Sequence, residues 1–158
     1  MSLNPDSFRA VLGRFASGVT VVTGIDSTGR DHGMTVSAFC SVSLTPPLIL
    51  VCIDHRATMH AVLPSIQHFT VNILSSDQEA IARRFADADD KRFDGVGYTR
   101  GAHGVALLDD ALAQLECKQV SLHDAGDHTI VIGEVQTASM REIRPLLYYR
   151  GGFAQLER

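Results

Sequence analysis

The 158-residue chain has no long apolar run, no surplus of positive charge and only three cysteines. Each shortage removes a class of function. A bilayer-spanning helix needs about 20 consecutive apolar residues, and no segment provides them, so the chain is expected to stay out of membranes. The opening Met1-Ser2-Leu3-Asn4-Pro5-Asp6 lacks the basic and apolar regions of a secretory signal, which leaves cytoplasmic residence as the default expectation. A formal net charge of −4 argues against non-specific nucleic-acid binding, which needs a basic surface. Cys40, Cys52 and Cys117 are far apart, each inside an apolar segment. They are expected as small core residues, with no disulfide and no thiol chemistry.

Several catalytic signatures are missing too. There is no GxGxxG or Walker loop to cradle a nucleotide, and no Gly-x-Ser-x-Gly elbow to present a nucleophile. No HExxH or paired CxxC occurs, and His55 and His60 are five apart, off a common helical face. The histidines therefore give no metal pattern, and no metal is expected. The pairs Asp89-Asp90 and Asp109-Asp110 lie in loop-like sequence that they solvate. With 45% hydrophobic and 20% charged residues, the chain reads as one ordinary globular domain, residues 1–158, able to bury a core without staples.

What is present is an uninterrupted alternation. From Gly33 to Thr45, Met34, Val36, Ala38, Cys40, Val42 and Leu44 share one face of an extended chain. Thr35, Ser37, Phe39, Ser41, Ser43 and Thr45 share the other. The apolar face is expected to pack into a core. The second face is almost all hydroxyl and carries no charge. An exposed Thr/Ser-rich sheet face accounts for it, and so does a flat polar ligand lying close to the backbone.

Around this run the periodicities predict a helix over 6–16, capped by Asp6 or Ser7, with Phe8, Val11, Leu12 and Phe15 on one side. They predict strands over 19–25, 48–53 and 68–74, a short helix from after Arg56 to about Leu63, and a helix capped by Ser76 or Asp77. Residues 86–104 read as loop. Two long strands, near 111–123 and 128–140, are followed by short strands over 146–149 and 153–156. In the first long strand apolar residues hold odd positions to Cys117 and even ones from Val120, a phase slip that predicts a bulge. Long bent antiparallel strands suit a small closed barrel.

Three clusters offer polar chemistry. Arg56 and Thr58 stand where the short helix begins, a place that favours an anion, although a capped surface helix explains them equally. Lys91-Arg92 precede Phe93 in a Gly-rich loop and form a second basic point. His128 follows Gly126-Asp127 at the turn into a long strand, where a ligand mouth or an exposed hairpin would both suit it. Two basic points and a hydroxyl stripe fit a ligand with phosphate at one end and a neutral ring system at the other.

The order of these segments resembles a known family. Phe8-Arg9, Leu12, Phe15-Ala16 and Gly18-Val19-Thr20-Val21-Val22-Thr23 are followed by Gly33 to Ser43 and Pro46-Pro47-Leu48. Then come Phe69, Val71-Asn72-Ile73-Leu74, Arg84-Phe85, Lys91-Arg92-Phe93, Gly126-Asp127-His128 and Tyr149-Arg150-Gly151-Gly152. Together they resemble the short-chain NAD(P)H:flavin reductases, the reductase components of two-component flavin monooxygenases. The resemblance implies a mainly β fold with a few helices, a split β-barrel of Greek-key-like antiparallel strands, assembled as a homodimer. It implies FMN or FAD as flavin, NADH or NADPH as reductant, and a separate oxygenase that receives the reduced flavin. It places Thr35, Val36, Ser37 and Ala38 along the isoalloxazine, and Ser41, Val42, Cys52, Ile53 and Asp54 around the ribityl chain. Arg56, Thr58, Lys91 and Arg92 would meet phosphate with Phe93 nearby. His128, as the catalytic position, would face the nicotinamide nucleotide with Tyr149, Arg150 and Gly151. A pyridoxamine-phosphate-oxidase-like enzyme and a flavin-binding protein without reductase activity are the alternatives.

Overall fold

The β-branched run after Gly18 forms a strand of the main sheet, one place in from its edge. The structure, a computed structural model, describes residues 2–87 and 92–157. Strand β1 is Ser17–Gly18, β2 Thr20–Ile25, β3 Asp31–Val36, β4 Phe39–Ser43, β5 Leu48–Asp54 and β6 His68–Ile73. Then follow β7 Tyr98–Arg100, β8 Ala106–Leu108, β9 Ala113–Ala125, β10 His128–Met140, β11 Leu146–Tyr149 and β12 Gly152–Gln155. The helices are α1 Pro5–Leu12, α2 Thr58–Val62 and α3 Glu79–Ala86. The described residues are thus mainly β with a few helices, as expected.

Seven strands form one sheet in the order β3-β2-β6-β9-β10-β5-β4, with every neighbour antiparallel. Strands β3 and β4 are its opposite edges, yet only Ser37 and Ala38 separate them in sequence. The sheet must therefore curl until its edges meet at this link, where the Cys52 N–H donates to the Ala38 carbonyl at 3.0 Å. The ladder between β3 and β4 themselves stays open. The phase slip in β9 is a bulge. Ile132 pairs with Ser121 but Gly133 with Gln119, leaving Val120 as the extra residue. Gly133 lets the sheet bend tightly here, because a Cβ at that position would lie 2.5 Å from the Phe69 ring.

One core fills the curled sheet, where Val22, Val51, Ile53, Phe69 and Val131 meet Met59 of α2. A second joins Val19, Val21 and Leu74 to Ala82 and Phe85 of α3 and to Leu146 of β11. Between strands, buried Asn72 makes a complete set of hydrogen bonds. Its amide donates to the Val21 carbonyl at 3.0 Å and to Thr23 Oγ1 at 3.2 Å, and its oxygen accepts from Leu108 N and Gln114 Nε2, both at 3.0 Å.

Several expectations need correction. Helix α1 starts one residue earlier than expected, because Asn4 accepts from Asp6 N at 2.8 Å and Pro5 takes the first turn. It ends at Leu12 rather than at 16, since Gly13 breaks it and its carbonyl accepts from Arg150 N at 2.9 Å. None of its residues is buried. The turn leading into α3 is capped by Ser75 through a capping box with Gln78, not by Ser76 or Asp77. The expected loop over 86–104 contains β7, whose Tyr98 ring packs against Phe93. The first long strand begins at Ala113, two residues later than expected.

The alternating run is also divided. In β3 the apolar face turns inward as expected, with Val36 buried and Met34 against the core. Past Ser37 and Ala38 the faces exchange. Phe39 packs inward while Cys40, Val42 and Leu44 are exposed, Leu44 by 88%. Cys40 is therefore not a core residue, whereas Cys52 is half-buried and Cys117 buried.

Candidate active site

The hydroxyl face of β3 opens onto a cleft of about 530 Å³. Thr35 and Ser37 form one wall, Arg83, Ala86 and Asp87 at the end of α3 a second, and Tyr148, Gly151 and Phe153 of the β11–β12 hairpin a third. The walls are fixed from behind. Thr35 Oγ1 donates to the Ala82 carbonyl at 2.6 Å, which clamps β3 to α3. Gly33 makes the close approach possible, since a Cβ there would stand 2.7 Å from Phe85 Cε1 and 3.1 Å from Phe93 Cζ. Arg83 is held by Glu79 at 2.7 Å and lies 4.9 Å over the Phe153 ring, which meets Tyr148 edge-on at 5.5 Å. The hairpin turns at Arg150 and Gly151, both in the left-handed region (φ 52° and 77°), and Arg150 N donates to the Gly13 carbonyl at 2.9 Å.

Of the residues singled out from sequence, Thr35, Ser37 and Gly151 line this cleft, with Tyr149 and Arg150 exposed in the same turn. Arg92 is tied to the back of β3, its Nη1 donating to the Gly33 carbonyl at 2.6 Å while its Nε is buried without a partner. Arg84 holds the loop by donating to the Arg92 carbonyl at 2.7 Å. Phe93 belongs to the second core, edge-on to Phe85 at 5.1 Å. Lys91 lies outside the described residues. Val36 is buried and Ala38 exposed; what each offers nearby is its carbonyl, accepting from Thr20 Oγ1 and Cys52 N respectively. Ser41 and Val42 are exposed on the edge strand β4.

A second group gathers at the end of the β5–β10 pair, where Asp54 is the direct partner of His128. Arg56 grips Asp54 through two nitrogens, Nε at 3.2 Å and Nη2 at 2.9 Å, and its backbone N–H donates to the same carboxylate at 2.8 Å. Those bonds hold the Asp54 carboxyl well below the usual carboxylate range and raise the Arg56 guanidinium. His128 Nδ1 lies 2.7 Å from Asp127 Oδ1, and that contact lowers the Asp127 carboxyl. Ile53 is in the first core; burial pushes the neighbouring Cys52 thiol up. Thr58 is exposed at the start of α2 and makes no capping bond.

Arg83, Asp87, Tyr148 and Phe153 were missed by sequence reasoning. Arg83 sits at a solvated helical position, and only the neighbouring Tyr149-Arg150-Gly151-Gly152 segment points to the hairpin. The histidines also depart from expectation, because folding brings His55 and His60 together with Asp124.

The chain matches known proteins along nearly its whole length. It is 40% identical over 155 residues to the FMN reductase (NADH) SmoA of Agrobacterium fabrum, covering 98% of this chain and 88% of that protein. It is 38% identical over 157 residues to the reductase subunit HsaB of a flavin-dependent monooxygenase of Rhodococcus jostii, covering 99% of this chain and 80% of that protein. Among solved structures, the NADH:FAD oxidoreductase SgcE6 of Streptomyces globisporus, in complex with NAD and FAD fragments, superposes with a TM-score of 0.91 at 40% identity. That likeness covers 99% of this chain and 96% of the other. Residues 12–157 match the flavin reductase like domain, and the chain belongs to that family.

Proposed function

We propose that this protein is an NADH-dependent flavin reductase that supplies reduced FMN or FAD to a separate monooxygenase component. The observation that carries the reading is the cleft beside Thr35 and Ser37. Its volume of about 530 Å³ lies within the range of small-molecule sites, and its walls combine neutral hydroxyls with Tyr148 and Phe153. Such a lining fits a flat, polar ring system. Bound flavin supplies the redox chemistry, accepting hydride from the nicotinamide, so no nucleophile or metal is required of the chain.

The residues then bind and orient. Thr35, Ser37 and the backbone of Val36 and Ala38 hold the ring, while Ser41, Val42, Cys52, Asp54 and the backbone of Ile53 border the ribityl chain. Arg56, Thr58, Lys91 and Arg92 hold phosphate, with Phe93 supporting the loop. Arg56 reaches phosphate by sharing or leaving its bond to Asp54, so that pair tunes affinity. His128, Tyr149, Arg150 and Gly151 position the nicotinamide nucleotide. Stacking both rings at reactive distance contributes up to about 7–11 kcal/mol when geometry is near ideal. Neutral Ser and Thr release the product more readily than a charge pair would.

The curled sheet, with its edges brought together at Ser37-Ala38, is read as a split β-barrel of the Greek-key-like type. A second copy of the chain covers α1 and the turn after it, where Phe8, Val11, Leu12 and Phe15 all face solvent in one chain, Phe15 by 84%. A contiguous apolar helix face of this kind marks an interface.

Anaerobic mixing of purified protein with NADH and FMN tests the activity. Catalytic bleaching of the flavin band supports it. Flavin binding without bleaching reduces the protein to a carrier, and no binding overturns the reading.

A further inference from the structure

His55, just after β5, and His60, in α2, meet Asp124 from a distant part of the chain, the end of β9. One nitrogen from each imidazole and one carboxylate oxygen lie within 4.8 Å of one another. We propose that they form a binding site for a zinc-class divalent cation. The inference rests on this geometry alone and stands apart from the reductase reading.

His55 Nε2 and Asp124 Oδ1 are 3.4 Å apart. Two ligands of a tetrahedral zinc ion, each about 2.0–2.1 Å from the metal, stand about 3.3 Å apart, so this pair is already at coordinating separation. The His60 ring is 4.6 Å from the His55 ring, tilted by 46°, and completes the set by a small side-chain rotation. Thr129 preorganises the cluster. Its hydroxyl donates to Asp124 Oδ1 at 3.1 Å and lies 3.0 Å from His60 Nε2, joining two of the three ligands. His55 is further fixed by its own N–H, which donates to the Asp127 carbonyl at 2.9 Å. Beside the cluster a cleft of about 300 Å³, bordered by His60, Leu63, Pro64, Leu122, Asp124 and Thr129, leaves room for a water as fourth ligand. Two imidazoles with one carboxylate form a donor set that suits zinc, cobalt or nickel rather than magnesium or calcium.

The ion would clip α2 to the β9–β10 hairpin. The test is titration of tag-free full-length protein with Zn²⁺ by calorimetry, alongside thermal melting with and without Zn²⁺. Saturable binding of one ion per chain and a higher melting temperature are expected. His55→Ala, His60→Gln and Asp124→Asn should each weaken binding by more than the about tenfold that losing an outer-shell partner commonly costs. His103→Ala should leave binding unchanged, although His103 stacks on His68 at 3.7 Å and is the other histidine pair available. His60→Gln keeps a polar group beside Thr129, so the fold survives and the loss is readable. Binding that persists in a His55→Ala/His60→Gln double variant overturns the proposal, as does an absence of saturable binding.

Discussion

Strands β3 and β4 are two halves of one alternating run, and they meet opposite environments. In β3, Gly33 is pressed under Phe85 and Phe93, Thr35 is bonded to α3, and Val36 is in the core. In β4, Cys40 and Val42 face solvent, as does Leu44 just beyond it, while Phe39 packs against the core. Alternation fixes which residues share a face, but it carries no label saying which face is the core. That label comes from the sheet. Curling brings both edges to the Ser37-Ala38 link, and the chain crosses over with its faces exchanged.

The contrast can be broken from the β3 side first. Phe85→Ala removes the fully buried ring beneath Gly33 and should cost about 3–5 kcal/mol in denaturant unfolding. Gly33→Val forces a side chain against Phe85 and should destabilise by about 1–3 kcal/mol. Thr35→Val removes the bond to Ala82 and should cost about 1 kcal/mol, while weakening FMN binding measured by fluorescence quenching. On the β4 side, Leu44→Ser should change stability by less than about 0.5 kcal/mol. A loss as large as that of Gly33→Val would erase the distinction between the halves.

Thiol chemistry sharpens the comparison without altering stability. Burial, with a smaller contribution from Glu116, pushes the Cys117 thiol up to about 12. It therefore remains protonated through neutral and mildly alkaline pH, and the unreactive thiol form persists until the pH approaches that value. Alkylation of folded protein followed by peptide mass spectrometry should label exposed Cys40 first and Cys117 only after unfolding.

Much of this was legible in advance. The β-branched run from Val19, the continuous apolar segment of β5 and the slip around Val120 each record local backbone geometry and lie where expected. Strand β5 buries only alternate residues, however, although its unbroken apolar run suggests burial on both faces. Features set by distant packing were not legible. Nothing near Phe15 shows that α1 buries none of its apolar residues, because an amphipathic pattern does not name what covers it. Arg83 and Phe153 meet only through folding, since one is on a helix and the other on a C-terminal hairpin. His55 and His60 looked unrelated at five residues apart, because Asp124 and Thr129, which draw them together, come from the other long hairpin.

The dipeptide Ser37-Ala38 has a dynamic consequence. Outermost strands usually peel away independently, each exchanging its amide protons on its own schedule. Here both margins are spliced covalently through two residues, so fraying of one pulls directly on the other. Deuterium uptake at Met34–Val36 and at Phe39–Ser41 should rise and fall together under mild denaturant, as a single cooperative opening rather than two.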